Sequence, residues 1–128
     1  MLLKTRNLKA GRVYDPLHYP QWTIDRYAIK NIDVIRKGGE EVNETGWDEV
    51  WIYNYLQHTE DPRLILANAK RAAKIVRIFE WVDVPPHDGH PHELTQQFLD
   101  DCLGRNGKVT QLAERGCFGK AYSNIVSV

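Results

Sequence analysis

Apolar residues recur along this chain in short runs that turn residues separate. Such runs, bounded by Gly, Pro or Asn, are typical of β-strands. The pattern predicts strands at GRVYD (11–15), IDVIRK (32–37), DEVWIYN (48–54), KIVRIFEWVD (74–83), KVTQLAERG (108–116) and KAYSNIVSV (120–128). We expect the last two strands to form an antiparallel pair, joined by a turn around Gly116 and Gly119.

Helical spacing of apolar residues occurs between these strands. It predicts a helix from about Pro20 to Ile29, because Pro20 suits a helix start and the apolar residues after it lie near helical spacing. A second helix is predicted over residues 61–73. There Asp61 is expected to be the N-cap and Pro62 the first helical residue.

The segment HPHELTQQFLDDCLG (90–104) predicts a third helix. His92 is expected in its first turn, and Gly104 is expected to be the C-cap because glycine readily adopts a left-handed conformation. Residues 2–8 predict the end of a further helix, stopped by KAG.

Strands that alternate with helices indicate an α/β protein. We expect a three-layer Rossmann-like sheet that is mostly parallel and ends in a C-terminal antiparallel hairpin, within a single domain spanning residues 1–128. Ligands of such sheets bind at the carboxyl ends of the strands. The loops predicted at that edge contain all five His residues of the chain.

Composition narrows the function classes. The 128 residues are 42% hydrophobic and carry 17 basic and 17 acidic side chains, which fits one folded domain and gives no excess charge for nucleic acid or membrane surfaces. Without an evident secretion signal or membrane span, the expected location is the cytoplasm. Cys102 and Cys117 are expected to be reduced, buried small residues.

The segment GWDEVWIYNYLQHTEDPRLILANAKRAAKIVRIFEW (46–81) resembles the second half of a class I S-adenosylmethionine-dependent methyltransferase. In that family a strand beginning with Phe/Trp-Asp ends in a Leu-x-His turn, followed by Asp-Pro, a helix and the next strand. RVYDP and the C-terminal hairpin are also similar to the family's second strand and closing hairpin. The resemblance implies S-adenosylmethionine as cofactor and a small-molecule methyl acceptor.

The resemblance also implies which residues bind the cofactor. Asp15, followed by Pro16, would accept hydrogen bonds from the two ribose hydroxyls. The loop with Gly39, Glu40 and Glu41 would lie along the adenine. Asn54 and Tyr55 would lie beneath the methionine part and the transferred methyl group.

One part of the family pattern is missing. The chain contains no G-x-G pattern for the cofactor loop, and Met1 begins in what resembles the helix after that loop, so we expect a fold truncated at its N-terminus. It would be either a fragment of a longer methyltransferase or the family's scaffold kept without its cofactor loop. The absent strand would lie between RVYDP and DEVWIYN. We therefore expect either direct pairing of these two strands or unpaired backbone groups, and a homodimer through an exposed or unpaired strand.

Two residues are candidates for the chemistry itself. His58 could act as a general base near the methyl acceptor, or pack on its turn and bond a backbone carbonyl. Glu80 could orient the acceptor, or pair with Arg77 or Lys74.

Aromatic and His residues are candidates for the acceptor pocket. We expect Trp22, Trp81, His87 and His90 to line it. The segment PHDGHPH (86–92) also permits a metal-dependent enzyme based on His87, His90 and His92, although its two flanking prolines disfavour a metal site. A non-catalytic interaction module on the same scaffold is the other alternative, since the cofactor loop is missing.

Overall fold

The computed structural model describes residues 2–114 and 117–128. These fall into two compact units, Met1–Glu41 and Val42–Val128. The predicted turn at Gly116 lies outside the described residues, as does the side chain of Cys117. Within the described residues, no helix is both long and apolar enough to cross a membrane.

The first unit is a βαβ arrangement. Strand β1 (Gly11–Tyr14) pairs in parallel with β2 (Ile32–Ile35), and helix α1 (Gln21–Ala28) lies between them in sequence. Short 3-10 helices occupy Leu2–Lys4 and Gly39–Glu41. The predicted strand and helix positions are therefore confirmed here, except that the helical turn near the start ends at Lys4 and not at Leu8.

The second unit is a four-stranded mixed sheet. Its strands are β3 (Trp47–Tyr53), β4 (Ala73–Val82), β5 (Lys108–Glu114) and β6 (Cys117–Ser127), in the order β3-β4-β6-β5. The β3–β4 pair is parallel, whereas β6 is antiparallel to both of its neighbours. The predicted C-terminal antiparallel hairpin is confirmed.

Capping residues set the ends of the two helices in this unit. Helix α2 (Pro62–Ala72) begins after Asp61, whose Oδ1 accepts a hydrogen bond from the Leu64 N–H at 2.9 Å, as the sequence predicted. Helix α3 (Gln96–Leu103) begins after Thr95 and ends at Gly104, which has a φ of 72°. The prediction that His92 lies in the first turn of α3 was wrong.

Helices α2 and α3 cover one face of this sheet. Alternate strand residues, including Ile52 and Val76, pack against Leu66 of α2 and Leu99 of α3 in one buried core. The remaining strand residues lie on the opposite face, which carries four half-buried aromatic side chains: Trp51, Tyr53, Phe79 and Trp81. The second face therefore combines half-buried aromatic side chains with the ion pair of Glu49 and Arg77.

The structure corrects two sequence predictions about this fold and decides between two alternatives. A mostly parallel sheet was expected, but two of the four strand pairings among the described residues are antiparallel, because β6 lies antiparallel between β4 and β5. Of the two alternatives given for β1 and β3, direct pairing does not occur among the described residues, where β1 pairs with β2 and β3 pairs with β4. Cys102 is half-buried, not fully buried. Whether the two units form one domain stays a prediction.

Candidate functional site

The acid after β1 is held in a fixed orientation by its own loop. Asp15 Oδ1 accepts a hydrogen bond from the Leu17 N–H at 2.9 Å, and Oδ2 accepts one from the Tyr19 hydroxyl at 2.7 Å. The Tyr19 ring stacks on that of Tyr27, with centroids 6.5 Å apart. Because a carboxylate oxygen can accept two hydrogen bonds, each oxygen keeps one acceptor position for a ligand.

The loop after β2 lies at the same edge of the small sheet, because parallel strands end side by side. The Asp15 N–H donates to the Ile35 carbonyl at 3.2 Å, which joins the ends of β1 and β2. Gly39 is buried and begins a single 3-10 turn. Glu41 Oε1 accepts from the Gly38 N–H at 3.3 Å, so this side chain is directed at its own loop.

Neighbouring residues of both loops are more exposed. Pro16 is exposed, and its carbonyl accepts a hydrogen bond from Arg36 Nε at 3.4 Å. Glu40 is half-buried. The structure thus brings the predicted ribose acid and the predicted adenine loop to one edge of the first unit.

In the second unit, the turn after β3 has an unusual backbone. Asn54 adopts a φ of 51°, and its Oδ1 accepts a hydrogen bond from Gln57 Nε2 at 2.9 Å. Side-chain amides stabilise this left-handed conformation better than most residues do. A 3-10 turn, Leu56–His58, follows. The turn therefore exposes Asn54 while Leu56 and Gln57 stay buried.

Glu80 of β4 holds this turn from within the core. Its side chain is fully buried, and Oε1 accepts hydrogen bonds from the N–H groups of Tyr55 at 2.8 Å and Leu56 at 3.0 Å. Oε2 has no hydrogen-bond partner among the described residues. Burial raises the pKa of Glu80 to about 7, although the two backbone hydrogen bonds act in the opposite direction. Burial thus favours the neutral form of this acid.

Of the two alternatives for Glu80, the ion pair with Arg77 or Lys74 was wrong. Arg77 binds Glu49 through two hydrogen bonds, of 2.6 and 3.0 Å, and Lys74 binds Asp48 at 2.8 Å. The physical reason is strand alternation, which directs Arg77 and Glu80 to opposite faces of the sheet. These contacts favour a positioning role for Glu80.

Three imidazole rings connect the turn after β3 with the loop after β4. The His58 ring lies 4.1 Å from that of His90, which in turn lies 4.1 Å from that of His87. His58 Nδ1 is 2.8 Å from the Gly89 carbonyl oxygen. Since a carbonyl only accepts, Nδ1 carries the hydrogen, and Nε2 of a neutral ring is left as an acceptor.

His92 makes different contacts. Its Nε2 donates to the carbonyls of Thr59 at 2.8 Å and Glu60 at 3.1 Å, so it fixes the loop before α3 against the start of α2. The rings of His87 and His90 therefore lie beside that of His58, and not beside that of His92 as the predicted set requires. Across the described residues, no three His, Cys, Asp or Glu side chains are arranged to hold a metal ion.

The two Trp residues predicted for the acceptor pocket belong to different units. Trp22 lies on α1 and is 62% exposed. Trp81 lies on β4, half-buried, with its ring edge-on to Phe79 at a centroid distance of 5.9 Å. The pocket assignment of both stays a prediction.

Sequence reasoning missed how Glu80 functions in the fold. The available signal was its position in β4, two residues from both Ile78 and Val82, which are buried. A lone acid on the apolar side of a strand must have an internal partner, and the nearest donors are the amides of the turn after the neighbouring parallel strand.

Known proteins resemble this chain in structure only. No family model matches the sequence, and no curated protein matches it. Among solved structures, 1,6-didemethyltoxoflavin-N1-methyltransferase of Burkholderia thailandensis, bound to 1,6-didemethyltoxoflavin and S-adenosylhomocysteine (SAH), matches with a TM-score of 0.68 and 12% identity. That match covers 91% of this chain and 60% of the other.

Two further solved structures also resemble the chain. The N-terminal domain of EvdMO1 with SAH bound matches with a TM-score of 0.66 and 14% identity, over 98% of this chain and 67% of the other. Magnesium protoporphyrin IX methyltransferase from Synechocystis PCC 6803, with bound SAH, matches with a TM-score of 0.58 and 9% identity, over 84% of this chain and 61% of the other. The chain thus has a methyltransferase-like mixed α/β fold and spans about 60 to 67% of the length of these structures.

Proposed function

We propose that the chain binds S-adenosylmethionine and serves methyl transfer to a small-molecule acceptor. The observation that carries this proposal is the fold: structures that resemble the chain over 91 and 98% of its length hold SAH. Fold alone permits many functions. The groups at the strand ends therefore decide whether this chain suits the cofactor.

The first unit offers groups that suit the adenosine part. Asp15 is half-buried at the end of β1, and its two oxygens, oriented by Leu17 and Tyr19, each retain an acceptor position for a ribose hydroxyl. Gly39 begins the adjacent turn without a side chain. Backbone at such a position can approach a planar base closely.

The second unit offers groups that suit the reactive end. When bound, the cofactor supplies a methyl group on a positively charged sulfur. Asn54 and Tyr55 follow β3 in a turn whose amides are fixed by Glu80, so their orientation is set before any ligand arrives. His58, through the acceptor Nε2, would take a proton from the methyl acceptor.

Calorimetric titration with SAH tests the proposal. We expect wild-type chain to bind SAH and Asp15→Asn to bind it at least about tenfold more weakly, since a ribose hydroxyl then loses a charged acceptor. Asn can keep the hydrogen bond from Leu17, so the loop is preserved. Asp33→Asn is the matched control, because Asp33 lies on β2 with an exposed side chain.

Two results would contradict the proposal. One is wild-type chain without heat of binding at millimolar SAH. The other is equal loss of affinity in Asp15→Asn and Asp33→Asn, which would place the ligand elsewhere.

A non-catalytic interaction module is the second candidate. The observation that favours it is the absence of a G-x-G pattern from the sequence, since that loop contacts the amino acid part of the cofactor in the resembled family. A folded wild-type chain that binds no SAH would support this alternative. The metal-dependent enzyme is not proposed further, because His92 Nε2 already bonds to two backbone carbonyls.

A further inference from the structure

Strand β3 forms one end of the four-stranded sheet. Within residues 2–114 and 117–128 it pairs with β4 alone. Its sequence, WDEVWIY, contains no Pro or Lys, two residues that natural edge strands use to prevent further pairing. Its two charged side chains, Asp48 and Glu49, are already paired with Lys74 and Arg77 of β4. An edge of this length and apolar character is a site for the addition of another strand.

The backbone groups directed at this edge can be assigned from the observed hydrogen bonds. The Asn54 N–H donates to the Phe79 carbonyl of β4 at 2.8 Å. Since successive residues of a strand direct their N–H and C=O groups to opposite sides, Ile52 also faces β4. The N–H and C=O groups of Glu49, Trp51 and Tyr53 are therefore directed at the outer edge.

We propose that β3 pairs with β3 of a second copy of this chain, antiparallel and about a two-fold axis at Trp51. The two four-stranded sheets would then form one continuous sheet. Such an interface is isologous, because the same patch serves both copies.

The chemistry of β3 favours this register. It places Trp51 opposite Trp51 of the second copy, Glu49 opposite Tyr53, and Val50 opposite Ile52, so that every pair is compatible in charge or polarity. A Tyr hydroxyl can donate to the facing carboxylate. A two-fold axis at Glu49 would instead place the two Glu49 carboxylates opposite each other, which is unfavourable. An axis at Val50 would place the charged Asp48 opposite the apolar Ile52.

The side chains along this edge are already ordered in one copy. Glu49 accepts hydrogen bonds from Trp51 Nε1 at 2.6 Å and from Arg77 at 2.6 and 3.0 Å, and the Trp51 ring lies 6.1 Å from that of Tyr53. A preordered edge loses less conformational entropy on association than a flexible one. Because the side chains along this edge complement each other about the axis, a second copy of the chain fits the edge better than an unrelated peptide.

Sedimentation velocity over a range of protein concentrations, from about 1 to about 200 µM, tests the proposal. We expect the mass to rise to that of a dimer, and Trp51→Lys to weaken dimerisation at least about tenfold, because it places two like charges across the axis. Thr110→Lys is the control, since Thr110 lies on the same face but on the opposite edge strand β5. A wild-type chain that stays monomeric throughout would overturn the proposal.

Disulfide formation checks the register. In a chain with Cys102→Ser and Cys117→Ser, we expect Trp51→Cys to give a covalent dimer on oxidation, because residues opposite each other in a hydrogen-bonded pair lie about 5.5 Å apart between Cα atoms. Faster cross-linking of Glu49→Cys or Val50→Cys would overturn the axis at Trp51. The readout is mass, so failure here is distinguishable from failure to bind SAH.

Discussion

Glu80 joins two parts of the fold that no apolar residue could join. Its carboxyl group accepts hydrogen bonds from the half-buried Tyr55 amide and the buried Leu56 amide at the end of β3. The cost is a buried acid whose pKa is raised by desolvation. Because Glu80 titrates, the free energy of unfolding of the protein also depends on pH.

The first prediction concerns that dependence. The pKa of Glu80 rises from 4.5 to about 7 on folding, so between these values the folded state retains a proton that the unfolded state has released. The free energy of unfolding should therefore fall by about 3 kcal/mol as the pH rises through this window, and should not fall further above it. Urea unfolding at successive pH values measures this.

Glu80→Gln separates this effect from other titrations. The amide oxygen can still accept from Tyr55 and Leu56, but the group no longer titrates, so the decline between pH 4.5 and 7 should be reduced. Glu93→Gln, at an exposed position, should leave the decline unchanged. The same slope in wild type and Glu80→Gln would show that Glu80 is ionised in the folded state throughout.

The β3–β4 pair contains a second acid, Glu49, whose pKa is lowered and not raised. The hydrogen bonds from Arg77, and then that from Trp51, lower the pKa of Glu49 to about 2, while burial acts weakly against them. This ion pair joins the edge strand to β4 across the aromatic face. It therefore stabilises the element that we propose to be the dimer interface.

The lowered pKa of Glu49 determines how its contribution to the free energy of unfolding changes with pH. The stabilisation by ionised Glu49 is fully present above pH 4.5 and is lost as the pH falls toward 2. Because the side chain is 30% exposed, we expect Glu49→Gln to cost about 1 kcal/mol at neutral pH.

A neighbouring acid provides the control for this second prediction. Asp48→Asn should cost little, since the Asp48 side chain is 87% exposed in its pair with Lys74. Equal costs for the two variants in urea unfolding at neutral pH would contradict the role given to Glu49.

Several elements could be predicted from the sequence because their signals are local. Asp61 and Pro62 set the start of α2, and Gly104 sets the end of α3. The predicted start of α3 was too early, because the cap that defines its first turn is Thr95. The contacts of His58 and Glu80 depend on strand neighbours distant in sequence, which local patterns do not reveal.

For the whole molecule, the order of the strands was harder to predict than their positions. The antiparallel position of β6 between β4 and β5 follows from long-range pairing, and so does the division into a two-stranded and a four-stranded sheet. The family resemblance identified the fold type, and the solved structures support it at 9 to 14% identity. The proposed methyl transfer requires that the strand ends bind the cofactor.

The central claim is that the strand ends bind S-adenosylmethionine, and backbone amide NMR of labelled wild-type chain during titration with SAH tests it most directly. We expect saturable shifts of the amides of Asp15 and Gly39 in the first unit, and of Asn54 and Tyr55 in the second. Amides on β5, at the far edge of the four-stranded sheet, should not shift. No saturable shift at any of these four residues, with the chain folded, would contradict the account.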